Sequence, residues 1–321
     1  MRFFLTGISG FAGVHLAELL LGAGHEVSGI AIEGWSPRLE TIAGGRILRE
    51  AVAETDLRDA AGIRTAIERA RPDGVFHLAG ITSVPQSNAD PRAAYEVNLF
   101  GTLAVLDAMR SAAPRARAII VTSAEIYGRV DPAELPITER QALRPLSPYG
   151  VSKAAADLAA QQAHLVDGLD AIRVRPFNHT GPGQAPIFVC SEFARAVAAA
   201  EAGKGPSVLR VGNLDVERDF SDVRDVVRGY RALFERGRAG EAYNLASGRT
   251  TTIRAVLDRL VAKSRVAISV ETDPAKVRPR EAVRMVASIE RAERDAGWRP
   301  EIPLERTLDD LLEWWRAELS R

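Results

Sequence analysis

The chain reads as an α/β protein, a doubly wound parallel sheet with a smaller C-terminal lobe. Three observations predict this. Short apolar runs alternate with amphipathic helical patterns through the first half of the 321 residues, as parallel strands covered by helices on both faces require. The first apolar run passes straight into a glycine-rich turn and then a helical pattern. After Arg175 the alternation breaks into a stretch rich in Pro, Gly and Asn, 176–186, which reads as an ordered loop or a boundary.

In order, strands are predicted over 2–6, 26–31, 46–51, 74–78, 116–122 and 171–174, and helices over 11–23, 60–71, 93–112 and 148–166. Crossovers between parallel strands should be right-handed. Beyond the loop come a helix over 189–202, a strand over 208–211 and a helix over 222–236. A last helix over 304–319 carries Trp314 and Trp315. No repeat and no low-complexity linker is visible. The second lobe is therefore expected to form from segments that leave the sheet and return. Residues 1–175 with 219–247 make the dinucleotide-binding domain, and 176–218 with 248–321 the other lobe.

Composition excludes several classes. With 42 basic and 42 acidic residues the formal charge is zero, against the basic excess of nucleic-acid binders. The arginine-rich stretch 278–294 is interleaved with Glu281, Glu290, Glu293 and Asp295, so it is no uniform basic tail. One cysteine, Cys190, excludes an internal disulfide and a cysteine metal cluster. The five histidines have no HxxxH or HExxH spacing, which argues against zinc. No apolar run approaches the ~18 residues of a membrane span. The glycine turn interrupts any leader-like start, so a cytoplasmic protein is expected.

The glycine turn is Gly7-Ile8-Ser9-Gly10-Phe11-Ala12-Gly13, spaced GxxGxxG. Between a strand and a helix this is a Rossmann-type phosphate cradle, with glycine where backbone N–H groups approach a pyrophosphate. The bland reading is a plain strand-to-helix turn. Asp56, before Leu57, either accepts a hydrogen bond from an adenine amino group or caps a helix. His77 reads as a satisfied core histidine, and Leu78-Ala79-Gly80 after it leave room for a cofactor on the sheet edge. At the end of the second strand Ala31 occupies the position where an acid would bind a ribose 2′-OH. Glu33 lies two residues on, either as that acid or as solvated loop, and the nearest arginine is Arg38. The expected cofactor is NAD or NADP, leaning to NAD.

Tyr149 and Lys153 stand four apart on a predicted helix and share a face. A phenol titrating near ~10 is a weak acid at neutral pH, and a neighbouring ammonium should lower that value. Ser123 ends the fifth strand and can hydrogen-bond the same substrate oxygen; Thr122 is an alternative beside it. This set predicts hydride transfer to a carbonyl carbon with Tyr149 protonating the oxygen. Glu125 is either a base near the same substrate or a structural carboxylate.

With these residues placed, the chain resembles, over almost its whole length, the extended short-chain dehydrogenase/reductases that act on nucleotide sugars. The carrying segments are GISGFAG, HLAG (77–80), Asn98 in YEVNLFGT, TSAEIYG (122–128), YGVSK (149–153) and RPFN (175–178). The resemblance implies a seven-stranded sheet and a homodimer built through helices near 93–112 and 148–166. It implies coenzyme contacts from Gly7, Gly10, Phe11, Ala12, Gly13, Leu57, Leu78, Ala79, Gly80, Asn98, Tyr149, Lys153 and Pro176. Substrate contacts are implied from Ser83, Ser123, Asn178, Val189, Arg218, Arg278 and Glu281, the last holding a ribose diol. Arg218 and Arg278 supply forked donors suited to a diphosphate, or form ordinary surface ion pairs.

Within the family, NHTGPGQ (178–184), VGNLD (211–215), RDFSDVRD (218–225), YNLASG (243–248) and Arg278-Pro279 resemble the GDP-6-deoxy-4-keto-mannose reductases. GDP-mannose 4,6-dehydratases differ where this chain has Thr180-Gly181-Pro182-Gly183-Gln184. The branch implies a GDP-linked deoxyhexose substrate and GDP-rhamnose as product. Two positions depart: Glu125 stands where dehydratases carry a catalytic glutamate, and Arg280 where a small or acidic residue is common. A 4-epimerase or 4,6-dehydratase recycling tightly held NAD is the enzyme rival, and a non-catalytic NAD(P)-binding regulator the rival of another class.

Overall fold

The computed structural model of the protein describes residues 1–43, 47, 49–276 and 284–320. Its centre is a seven-stranded parallel sheet, as the resemblance implied. From one edge the order is Ala242–Leu245, Ala171–Pro176, Arg117–Val121, Gly74–His77, Arg2–Thr6, Glu26–Ala31 and Val52–Glu54.

Alternation along each strand divides the core into two layers. Phe3, Leu5, Phe76, Ile119, Val121, Ile172 and Val174 face helices Phe11–Gly22 and Val223–Arg236, packing on Val14, Leu16, Val226, Tyr230 and Leu233. Phe4, Val75, Ala118, Ile120 and Ala171 face helices Ala60–Ala70, Gly101–Ala112 and Pro148–Asp167, through Ile63, Ile67, Val105, Met109 and Ala160. A separate core joins helices Val189–Glu201, Ile253–Ala262 and Leu304–Leu319 to strand Val208–Val211, which pairs with Ser269–Thr272. Among the described residues no helix is long and apolar enough to cross a membrane.

Four local expectations need correction. The third strand is Val52–Glu54, pairing Val52 with Gly29, rather than 46–51. Ile47 is buried by packing without pairing, and 49–51 form a 3₁₀ turn. The helix expected over 93–112 begins at Pro91, capped by Asp90, and holds a π turn, Glu96–Phe100, around Asn98. The 176–186 loop contains strand Asn178–Thr180, paired with Phe220–Asp222. Helices Pro37–Ala43 and Val84–Ala89 went unforeseen because neither is long enough to display a 3.6-residue period.

The strand order reverses between Arg2–Thr6 and Gly74–His77. In open parallel sheets the crevice beyond such a switch point binds ligands. The glycine turn, Leu78-Ala79-Gly80, Ser123 and Phe177 all follow the carboxyl ends of these strands.

Candidate active site

The glycine turn is tight enough to dictate its residues. Gly7 has φ +70°, and a Cβ there would lie 3.0 Å from the Ala79 backbone. A Cβ on Gly13 would fall 2.1 Å from the Gly7 carbonyl oxygen, inside any allowed contact. Gly10 caps helix Phe11–Gly22 with no side chain over its first turn. The orphan N–H groups and the positive end of the helix dipole are thus left for an anion. The cradle fits a dinucleotide pyrophosphate.

His77 is a core histidine, and its network fixes how it is protonated. Thr6 Oγ1 accepts from the N–H groups of Leu78 and Ala79, both at 3.1 Å, so its proton goes to His77 Nδ1 at 2.8 Å. Thr102 gives its hydroxyl proton to the Asn98 carbonyl at 2.6 Å and accepts from His77 Nε2 at 2.9 Å. The ring is therefore the neutral Nε2–H tautomer. Burial, with Lys153 adding to it, pushes its pKa down to about 3. Asn98 binds the Ile81 N–H and carbonyl at 2.8 and 3.0 Å and Ser152 Oγ at 2.9 Å. Its side chain ties the Leu78–Ile81 turn to helix Pro148–Asp167, and a Cβ on Gly80 would meet both Asn98 Oδ1 and Lys153 Nζ.

Ser123, Tyr149 and Lys153 come together, all buried. Ser147 caps the helix that carries Tyr149 and Lys153 through the Gly150 N–H at 3.0 Å. Ser123 hydrogen-bonds the Tyr149 phenol and accepts from the Glu125 N–H at 3.1 Å. The expected depression of the phenol is absent. Burial raises the Tyr149 pKa to about 12, against the lowering effect of the Ser123 hydrogen bond, and the Glu125 carboxylate raises it further. Lys153 donates to the Val121 carbonyl at 3.0 Å, and burial lowers its pKa to about 8. Thr122 cannot replace Ser123, because its hydroxyl is directed to the Val174 carbonyl at 3.1 Å and Asp157 at 3.3 Å.

Behind this set lies a buried ion cluster that sequence reasoning missed. Asp157, one turn beyond Lys153, receives Arg173 at 2.7 Å and a two-pronged Arg175 at 2.8 and 2.9 Å. Arg175 also donates to the Tyr127 hydroxyl at 3.0 Å, and Tyr127 donates to Asn244 at 2.6 Å. The network fastens the helix to the sixth and seventh strands of the sheet. Its signal in the sequence was the charged pair Arg173 and Arg175 inside an otherwise apolar strand.

The remaining predicted residues have local partners or positions of their own. Asp56 grips Arg58 at 2.5 Å, and helix Ala60–Ala70 is capped by Asp59 instead. Leu57 is buried and Glu33 exposed. Pro176 ends its strand beside Leu245. Ser83 caps helix Val84–Ala89 by accepting from Gln86. Asn178 is exposed, and Val189 starts the helix Val189–Glu201. Arg218 is buried and donates to the Glu217 carbonyl at 2.9 Å. Arg278, Arg280 and Glu281 lie outside the described residues. A cavity of about 550 Å³ opens between helix Val189–Glu201 and strand Val208–Val211, lined by Glu192, Phe193, Arg195, Arg210 and Lys276 among others. None of those five was singled out from sequence.

Comparison with known proteins agrees with this architecture. The chain is 35% identical to the GDP-6-deoxy-D-mannose reductase of Pseudomonas aeruginosa, over 99% of this chain and 98% of that one. The solved structure of RMD from Pseudomonas aeruginosa complexed with NADPH superposes with a TM-score of 0.86 at 33% identity, covering 99% of this chain and 100% of that one. The Thermus thermophilus UDP-glucose 4-epimerase complex with NAD superposes with a TM-score of 0.86 at 30% identity, covering 98% and 99%. The family model described as GDP-mannose 4,6 dehydratase matches residues 4–311, and the chain belongs to that family.

Proposed function

We propose that the protein reduces the 4-keto group of a nucleotide-linked 6-deoxyhexose, with GDP-4-keto-6-deoxy-D-mannose as substrate and GDP-D-rhamnose as product. The observation that carries this reading is the buried Ser123–Tyr149 hydrogen bond at the carboxyl ends of the sheet beside the glycine cradle. The phenol, pushed up to about 12, is fully protonated at neutral pH, the state a general acid needs. Ser123 orients it, and Tyr149 delivers its proton to the oxygen of the substrate carbonyl as negative charge develops there. The Lys153 cation nearby favours the phenolate that this leaves. Gly7, Gly10 and Gly13 hold NADH or NADPH by its pyrophosphate, and that coenzyme supplies the hydride. The 550 Å³ cavity, where Arg195 stands beside the ion pairs Lys276–Glu192 and Arg210–Glu271, is assigned to the nucleotide end of the substrate. The similarity to a GDP-6-deoxy-D-mannose reductase, and to a structure holding NADPH, supports the same assignment.

One observation favours a second reading. Glu125 acts electrostatically on Tyr149, which suits a 4,6-dehydratase or epimerase. Those chemistries return the hydride to the same sugar, so coenzyme stays bound. Acid release of coenzyme from the purified protein, quantified by absorbance, separates them. Far less than one equivalent is expected; a full equivalent of NAD would favour the second reading.

A homodimer belongs to this proposal. Val151, Leu158 and Leu165 are exposed at seven-residue spacing on helix Pro148–Asp167, and Phe100 is exposed on the neighbouring helical segment. Such a stripe is the seam of a helical bundle.

A further inference from the structure

The loop from His179 to Gln184 is gripped from both lobes. On the coenzyme side, His15 Nε2 lies 2.9 Å from the Pro182 carbonyl oxygen. A carbonyl only accepts, so Nε2 carries the proton. Arg38 donates to the Gly183 carbonyl at 2.9 Å and to that of Pro182 at 3.5 Å. Phe11, in the first turn after the glycine cradle, stacks on His179 with centroids 6.0 Å apart and planes 8° apart, and meets His15 edge-on at 5.6 Å. On the other side, Gln184 donates to the His179 carbonyl at 2.8 Å and accepts from Thr180 at 2.6 Å. Ser191 donates to the Gln184 carbonyl at 2.6 Å and accepts from Trp315 at 2.9 Å. Arg38 also lies over the Trp314 ring at 5.9 Å. Gly183 has φ +87°, and a Cβ there would stand 1.9 Å from Arg38 Nη2; the glycine gives the guanidinium its access.

We propose that His15 and Arg38 are positioning residues for the nucleotide sugar. They hold the 179–184 loop, and with it Asn178 and the start of helix Val189–Glu201, in the geometry that receives the substrate. A loop this rich in Pro and Gly, left unfastened, would have to be ordered at the moment of binding, and that cost would weaken affinity. Arg38 is thereby removed from the role of reading a coenzyme 2′-phosphate, which would require it to leave two carbonyls. Phe11 and His15 place the coenzyme cradle and the substrate loop on one helix. The proposal rests on the nucleotide-sugar reading above.

The test compares His15→Leu and Arg38→Leu with His15→Gln and Arg38→Lys, which keep an N–H donor. GDP is titrated by calorimetry, NADPH by fluorescence, and amide exchange is followed over residues 181–192. The Leu variants should bind GDP about tenfold more weakly, about what one lost hydrogen bond is worth. They should exchange the loop amides faster and hold NADPH within about twofold of wild type, and the donor-keeping variants should recover most of the loss. Unchanged loop exchange, or NADPH weakened as much as GDP, would overturn the proposal. If wild type binds no GDP, the nucleotide reading fails on its own account. The exchange comparison then decides the clasp: faster loop exchange in the Leu variants upholds it, and unchanged exchange removes it.

Discussion

Lys153 gives its ammonium to the carbonyl oxygen of Val121 at 3.0 Å, while the phenol of Tyr149, one helical turn away, hydrogen-bonds Ser123. The two helix neighbours are thus held by separate anchors. The free protein keeps the tyrosine as an acid in its protonated form.

Tyr149→Phe removes the transferable proton and leaves the glycine cradle untouched. Turnover should fall roughly 100- to 10,000-fold, the usual contribution of a positioned acid, with coenzyme affinity near wild type. Steady-state rates beside a fluorescence titration of NADPH check this. Near-normal turnover would remove Tyr149 from the chemistry.

The pH profile should belong to Lys153. Its pKa of about 8 means that the cation is lost as pH rises through that value, whereas Tyr149, at about 12, stays protonated. The apparent kcat/KM should therefore decline above about pH 8. The stability sign follows from the same shift. Between about 8 and the ordinary 10.5 the unfolded chain binds more protons than the folded one, so the penalty of burying this charge is full below pH 8 and fades upward. The stability of Lys153→Met relative to wild type should fall across that interval, as read by urea unfolding.

Much of this was legible beforehand. Phe3, Phe4 and Leu5 alternate between layers as a period of two demands, and the GxxGxxG turn falls where a strand yields to a helix. The Tyr149 pKa was not legible. Spacing puts Lys153 on the same helix face, but only the fold reveals that its ammonium is spent on the Val121 carbonyl and that burial outweighs the Ser123 hydrogen bond. The grip of His15 on Pro182 was equally hidden, since 167 residues separate them and neither carries a local signal. Arg38 looked available to a coenzyme because nothing near it in sequence shows the carbonyls it meets.

The Thr6–His77 pair should govern acid stability and coenzyme seating together. Thr6→Val orphans the Ala79 N–H and His77 Nδ1, while the Leu78 N–H keeps the Thr6 backbone carbonyl at 3.3 Å. It should cost about 2–4 kcal/mol and weaken coenzyme binding, since Leu78–Gly80 lose their side-chain anchor. His77 titrates at about 3 instead of 6.5, so the unfolded state takes up a proton first and stability drains as pH falls from 6.5 toward 3. Urea unfolding at pH 7 and pH 5 should show a drop in wild type that His77→Gln reduces.

The exposed stripe on helix Pro148–Asp167 predicts that Leu158→Glu with Leu165→Glu gives a folded monomer by sedimentation, where wild type sediments as a dimer. A monomeric wild type would overturn the dimer and leave Val151, Leu158 and Leu165 exposed.

The reaction proposed for this protein is net reduction of a 4-keto nucleotide sugar. Its most direct test mixes the protein with GDP-4-keto-6-deoxy-D-mannose and follows NADH and NADPH loss in parallel, with product analysis. Coenzyme oxidation should be matched mole for mole by GDP-D-rhamnose. No oxidation with either coenzyme would contradict it and turn attention to turnover on retained NAD.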